Sequence, residues 1–105
     1  MSTALTLTPR GDHIDAVRLA DVCTRYGVAE LSVFGSVARG DAGPESDIDL
    51  LFDLEPDARL GFALFDLEAE LEEIFGRPVD LLSRDSVHHL IREAVFAEAQ
   101  VLYAT

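Results

Sequence analysis

Residues 47–54 alternate between two sets of side chains, and this alternation constrains the fold more than any other stretch of the chain. Successive side chains of a β-strand point to opposite faces, so each face collects every second residue. One set is entirely apolar and consists of Ile48, Leu50, Phe52 and Leu54. The other set consists of Asp47, Asp49, Leu51 and Asp53. The segment therefore predicts a strand with one face in the core and two aspartates, two residues apart, on the other face.

Apolar periodicity on both sides of this strand predicts further helices and strands. Positions that recur at helical spacing indicate helices at about residues 12–26, 60–75 and 86–98. Short apolar runs indicate strands at residues 30–34 and 77–83, and a short closing strand at 100–103. This order predicts an α/β (α+β) fold, a small mixed β-sheet flanked by helices.

Length and charge limit what such a domain does. A chain of 105 residues has room for one core, so we assign residues 1–11 to an N-terminal lead-in and residues 12–105 to a single domain. The net charge of −12 repels nucleic acid and anionic membranes, so we expect neither as a direct partner.

Cys23 is the only cysteine, which excludes an intrachain disulfide. No run reaches the roughly 18 apolar residues of a membrane span, and we expect a cytoplasmic protein.

A Gly-Ser pair, Gly35-Ser36, directly follows the predicted strand at residues 30–34. We expect it to open a short helical turn that Gly40 ends, followed by a loop at 41–46. Glycine allows a close approach of the backbone, and the unpaired N–H groups of a helix start attract anions such as phosphate. Arg39 is either a further phosphate contact or a solvated surface residue, and the sequence favours neither. Taken alone, a Gly-Ser pair is weak evidence for a phosphate site.

The aspartates strengthen this interpretation. Asp47 and Asp49 lie two residues apart on one strand face, about 6.5 Å between Cα atoms, close enough to share divalent cations. Asp80 stands in a similar setting in the predicted strand at 77–83 and supplies a third acid. A pair of aspartates on a half-exposed strand is more often only its solvated face. Here two poor strand formers occur in a strand that follows a Gly-Ser turn, and this combination favours a metal site. Asp53 lies further along the strand and is left out of the set.

These residues resemble a known family. Gly35-Ser36, ten further residues and Asp47-Ile48-Asp49 resemble the signature of the polymerase-β-like nucleotidyltransferase superfamily. The longer string from Phe34 to Leu51 is similar to its minimal nucleotidyltransferase branch. The third-acid strand around Asp80 and the ending at residues 98–103 resemble that branch as well. The resemblance covers roughly residues 12–104 and implies the polymerase-β-like nucleotidyltransferase fold.

The resemblance also implies roles for the residues. Gly35 and Ser36 would hold nucleotide phosphates, Asp47 and Asp49 would bind Mg²⁺, and Asp80 would complete a site for two Mg²⁺ ions and help to deprotonate the acceptor. The implied reaction transfers a nucleotide, with AMP from ATP favoured, and releases pyrophosphate. Members of this branch are commonly paired with a HEPN-domain toxin, which some of them silence by adenylylating a tyrosine. The implied partners are therefore a nucleoside triphosphate and a HEPN toxin.

We therefore predict a Mg²⁺-dependent adenylyltransferase that acts as an antitoxin. One alternative is a catalytically silent antitoxin that blocks its partner by occlusion. A third possibility is an enzyme that modifies a small molecule, but such enzymes carry an additional substrate domain, for which this chain is too short. For the predicted adenylyltransferase, we expect a docked partner protein to supply the acceptor.

Overall fold

The computed structural model describes residues 5–7, 13–35, 47–87 and 89–105. The helical turn expected after Gly35, the loop expected at 41–46, and the candidate residues Ser36 and Arg39 lie outside this range. Two short strands come first, β1 at Leu5–Leu7 and β2 at His13–Asp15, followed by helix α1 at Ala16–Tyr26. The remaining elements are β3 at Val28–Phe34, β4 at Ile48–Leu54, α2 at Ala63–Phe75, β5 at Val79–Ser83, a 3₁₀ turn at Arg84–Ser86, α3 at His89–Glu98 and β6 at Gln100–Ala104.

Four strands form a mixed sheet in the order β5-β4-β3-β6. β3 pairs antiparallel with both β4 and β6, whereas β4 and β5 are parallel and are connected through α2. A parallel pair needs such a crossover, because a tight hairpin joins only antiparallel strands. The predicted α/β fold with a small mixed sheet is therefore confirmed.

The main core lies between one face of this sheet and the helices α1 and α2. The apolar set predicted for β4 faces this core: Ile48, Leu50 and Phe52 are buried, and Leu54 packs at its margin. Leu67 and Leu71 of α2 and Leu19, Val22 and Cys23 of α1 are buried against them. Burial of each large apolar side chain stabilises the fold by about 2 kcal/mol, so this layer fixes the position of β4.

The second face of the sheet is also partly covered. Ser32 and Leu51, which are paired across β3 and β4, are each only 2% exposed. Arg84 lies over the ring of Phe96 of α3, 4.2 Å from its centroid, and its guanidinium is 3.5 Å from Glu30. Glu30 alternates with the core residue Leu31, so α3 packs on the face opposite α1 and α2. The aspartate face of β4 therefore borders a second packed layer.

Several predicted boundaries were wrong, most of all at the first helix. It was expected from residue 12 but begins at Ala16, because residues 13–15 pair with β1 and the Asp15 carboxylate caps the helix through the N–H of Arg18 at 3.1 Å. The last helix was expected from residue 86, but a 3₁₀ turn intervenes and α3 begins at His89. β3 begins two residues earlier than expected, and α2 begins at Ala63.

Among the described residues, none of the helices is both long and apolar enough to cross a membrane.

A polar network joins α1 to α2 outside the core. Arg25 donates to Glu70 at 2.8 Å and to Asp21 at 3.0 Å, and the Tyr26 hydroxyl donates to Glu70 at 2.5 Å. These donors favour the charged carboxylate, so they lower the pKa of Glu70 below its usual range. Burial of Cys23 in the neighbouring core raises the pKa of its thiol to about 12, which keeps it protonated.

We predict that Glu70 makes the stability of this domain dependent on acid pH. Because the pKa of Glu70 is lower in the folded state, its contribution is present above its unfolded pKa of about 4.3 and is lost as the pH falls through the folded value. Urea unfolding at pH 7 and pH 3 measures this effect. Glu70→Gln should destabilise the domain at pH 7, and this difference from the unmodified protein should shrink at pH 3. Glu68→Gln on the same helix is the control, and an equal difference for Glu70→Gln at both pH values would contradict the assignment.

Candidate active site

Asp49 and Asp80 lie side by side in the sheet. β4 and β5 are paired in a register that sets Asp49 directly opposite Asp80. Neighbouring strands are about 4.8 Å apart, and paired residues point to the same face. Asp49 is half-buried and Asp80 is exposed. Two acids 31 positions apart in sequence are thus brought to one face, as the sequence prediction requires of them.

Asp47 lies immediately before β4 and is exposed. The next residue, Ile48, donates its backbone N–H to the carbonyl of Pro78 at 2.9 Å. This bond fastens the start of β4 to the residue that precedes β5. Asp47 is therefore held at the same end of the sheet as Asp80, although outside the strand itself.

Gly35 packs directly against Asp49. It follows β3 at the point where Phe34 pairs with Asp49, and its φ of +71° lies in the left-handed region. A Cβ atom at this position would overlap the Asp49 carboxylate, with Oδ2 as the nearest atom. Both the backbone conformation and the close approach therefore require glycine here. The Gly-Ser turn predicted from sequence thus begins in contact with one of the predicted metal ligands.

A further acid contacts Gly35 from α3. The backbone N–H of Gly35 donates to Oε1 of Glu98 with 2.8 Å between nitrogen and oxygen. Sequence reasoning recorded Glu98 only as part of a family-like ending and gave it no role. The available signal was its position as the last residue of a helix, where a negative charge opposes the helix dipole.

The donor set has the chemistry of a site for a hard divalent cation. Mg²⁺ prefers oxygen ligands and commonly uses one or two carboxylates together with substrate phosphates and water. The paired carboxylates of Asp49 and Asp80, with Asp47 nearby, match this requirement. Within the ranges that the structure describes, no three His, Cys, Asp or Glu side chains are grouped closely enough to form a preassembled metal site.

Two cavities formed by described residues lie away from these acids. An open cavity of about 560 Å³ follows α3 and is lined by Arg92, Glu93, Phe96 and Ala97. A smaller one of about 190 Å³ lies where β4 and β5 end, and its lining includes Asp53 and Asp85. Asp49 and Asp80 are at the opposite ends of the same strands. We therefore place the candidate active site at the starts of β4 and β5, beside Gly35, and not in either cavity.

The family model of the nucleotidyltransferase domain matches residues 19–102, so the chain belongs to this family. This range includes Gly35, Asp49 and Asp80, and it confirms both the resemblance drawn from the motifs and the assignment as a nucleotidyltransferase enzyme.

Individual relatives agree. The protein adenylyltransferase MntA of Thermococcus cleftensis is 40% identical over 74 residues, which are 70% of this chain and 74% of the relative. A toxin–antitoxin crystal structure with AMP-PNP has a TM-score of 0.69 at 20% identity and covers 88% of this chain and 75% of that one. A complex of a tri-AMPylated HEPN toxin with its MNT antitoxin, from Shewanella oneidensis, has a TM-score of 0.60 at 18% identity, with 86% and 70% covered. At these identities, the two structures show that the fold is shared.

We predict that Gly35→Ala damages the site and not only the backbone. Gly76 provides the matched control, because its φ of +72° is within 1° of that of Gly35 while a Cβ there would meet nothing within 4 Å. Each alanine should cost about 1–2 kcal/mol in urea unfolding for the left-handed conformation. Only Gly35→Ala must also displace Asp49, so it alone should lose most of the nucleotidyltransferase activity measured as pyrophosphate release. Equal activity of the two variants would contradict this account.

Proposed function

We propose that this protein transfers AMP from ATP to a partner HEPN-domain toxin, with Mg²⁺ as cofactor, and thereby acts as its antitoxin. The observation that carries the proposal is the register of Asp49 with Asp80, with Gly35 packed against Asp49. This arrangement joins the predicted metal ligands to the start of the predicted phosphate turn. The 40% identity to a protein adenylyltransferase favours AMP as the transferred group and a protein as the acceptor.

The partner is proposed from the same comparisons. The two similar folds described above are antitoxins or toxin–antitoxin complexes, one with AMP-PNP and one with an AMPylated HEPN toxin. The similarity to a protein adenylyltransferase supports a protein as the acceptor, and a HEPN toxin is the protein acceptor that the second complex contains. A net charge of −12 also disfavours nucleic acid as that acceptor.

Asp49 and Asp80 are the residues that would hold Mg²⁺, with Asp47 as a further ligand. When bound, the metal would neutralise phosphate charge and polarise the α-phosphate for attack. Gly35 would let the backbone at the end of β3 lie against Asp49, because it has no side chain to displace that carboxylate. In this role Asp49 is held by packing, whereas the exposed Asp80 is reachable from solvent and from an incoming acceptor.

In the proposed transfer, one bond forms and one bond breaks at the α-phosphorus of ATP. The acceptor hydroxyl oxygen bonds to the α-phosphorus of ATP, and the bond from that phosphorus to the bridging oxygen breaks. Pyrophosphate leaves, and the hydroxyl proton passes to Asp80, the exposed carboxylate of the pair. A carboxylate that acts as a general base within hydrogen-bond reach of the hydroxyl typically raises the reaction rate about 10²–10⁴-fold.

The experiment is AMP transfer from labelled ATP, with Mg²⁺, to the purified product of the neighbouring gene, the candidate HEPN toxin. We expect Asp49→Asn and Asp80→Asn each to reduce labelling at least about 100-fold, because each removes a charged ligand or the proton acceptor. Asp53→Asn is the matched control, since Asp53 lies on the same strand and face as Asp49 but at the other end. This variant should transfer AMP to the toxin at the rate of the unmodified protein.

Toxin neutralisation in the same mixtures separates transfer from occlusion. If AMP transfer is the mechanism, the Asp49→Asn protein leaves the toxin active even in stoichiometric excess. If that variant neutralises the toxin one-to-one while labelling is absent, the antitoxin acts by occlusion and the proposed function is wrong.

A further inference from the structure

The first amide of the Gly-Ser turn is bonded to an acid from a distant element. Oε1 of Glu98 accepts the Gly35 N–H at 2.8 Å, and 63 positions separate the two residues in sequence. Glu98 is half-buried. Gly35 is therefore contacted by two carboxylates, Asp49 beside its Cα atom and Glu98 at its nitrogen.

The backbone around Glu98 is fixed on both sides. Glu98 is the last residue of α3, and the N–H of Ala99 donates to the carbonyl of Val95 at 3.0 Å. Gln100 then enters β6 and pairs with Val33, two residues before Gly35. Since helix and strand both anchor the segment, the Glu98 carboxylate is delivered to the end of β3 by the fold itself.

A glutamate is an unfavourable choice for this position unless it has a partner. The C-terminal end of a helix carries a partial negative charge, so an acid there destabilises the helix. The hydrogen bond from the Gly35 N–H to the Glu98 side chain offsets this penalty. The position of Glu98 is thus explained by the contact with Gly35 better than by the stability of α3.

We propose that Glu98 is a positioning residue that holds Gly35 in the conformation required for nucleotide binding. It keeps Gly35 against Asp49 before nucleotide arrives, so less conformational entropy of this residue is lost on binding. This role rests on the proposed function, because it assumes that the turn after β3 binds the nucleotide. It also assigns the Gly35 N–H to Glu98 and not to a phosphate oxygen.

The test compares three variants of Glu98 with one control in the full chain. Glu98→Ala removes the acceptor, Glu98→Gln keeps an oxygen in its place, and Glu98→Asp keeps the charge but shortens the reach by one methylene. Glu93→Ala removes an exposed acid from the same helix and controls for the change in net charge. The readouts are the affinity for AMP-PNP with Mg²⁺ by calorimetry and the hydrogen exchange of the Gly35 amide without nucleotide.

We expect Glu98→Ala and Glu98→Asp to weaken AMP-PNP binding about tenfold and to lose protection of the Gly35 amide. Glu98→Gln and Glu93→Ala should stay within about threefold of the unmodified protein and keep that protection. In the transfer assay the loss should appear in the KM for ATP with kcat largely kept, since Glu98 acts through Gly35 and does not touch the reacting atoms. If Glu98→Ala does not fold, Glu98→Asp carries the same prediction.

Unchanged or tighter AMP-PNP binding by Glu98→Ala would overturn the proposal, because Glu98 would then be inert or a competitor of phosphate for the amide. The unmodified protein distinguishes this failure from failure of the proposed function. If it binds AMP-PNP and the variant binds equally well, only the role of Glu98 is wrong. If the unmodified protein binds no nucleotide, the proposed function and this role both fall.

Discussion

The parallel pairing of β4 with β5 is the constraint on which the candidate site depends. Its register sets Asp49 opposite Asp80, and a shift of one residue would move one acid to the other face of the sheet. The register is itself held by burial, because Ile48 and Val79 are paired neighbours of these acids and both belong to the core. The apolar face of the sheet thus determines where the acids lie on the opposite face.

Other contacts fix the starts of β4 and β5 in place. The Ile48 N–H bonds to the Pro78 carbonyl, and the Val79 N–H bonds to the Glu72 carboxylate of α2 at 3.1 Å. Gly35 fills the space beside Asp49, and Glu98 holds the Gly35 amide. Elements from both layers of helices therefore converge on the starts of two strands. These contacts keep Asp49 and Asp80 paired on one face of the sheet, which is the placement that a shared divalent cation would require.

The sequence predicted the parts of this architecture that depend on local pattern. The alternation in residues 47–54 identified the face that carries Asp49, and the helix predicted at about residues 60–75 was found as α2 at Ala63–Phe75. The β1–β2 hairpin escaped notice because strands of three residues are too short to show a period of two. The 3₁₀ turn before α3 was likewise hidden, since Val87 is buried and continues the apolar pattern into the helix.

The site could be predicted only as far as a sequence motif reaches. Asp49 and Asp80 were proposed as partners, but their direct pairing depends on strand order, which sequence does not contain. The contact of Glu98 with Gly35 was missed for the same reason: it joins the end of α3 to the end of β3 through the pairing of β6 with β3. Tertiary contacts between distant elements thus supply what local periodicity could not.

The most direct test of the central claim is a double-mutant cycle on Mn²⁺ affinity, with Mn²⁺ bound in place of Mg²⁺ and observed by electron paramagnetic resonance. If Asp49 and Asp80 hold one ion together, Asp49→Asn and Asp80→Asn each weaken binding strongly, and the double variant is little worse than either single variant. Losses that simply add, or single variants that bind Mn²⁺ as tightly as the unmodified protein, would show that the two carboxylates do not form a shared metal site.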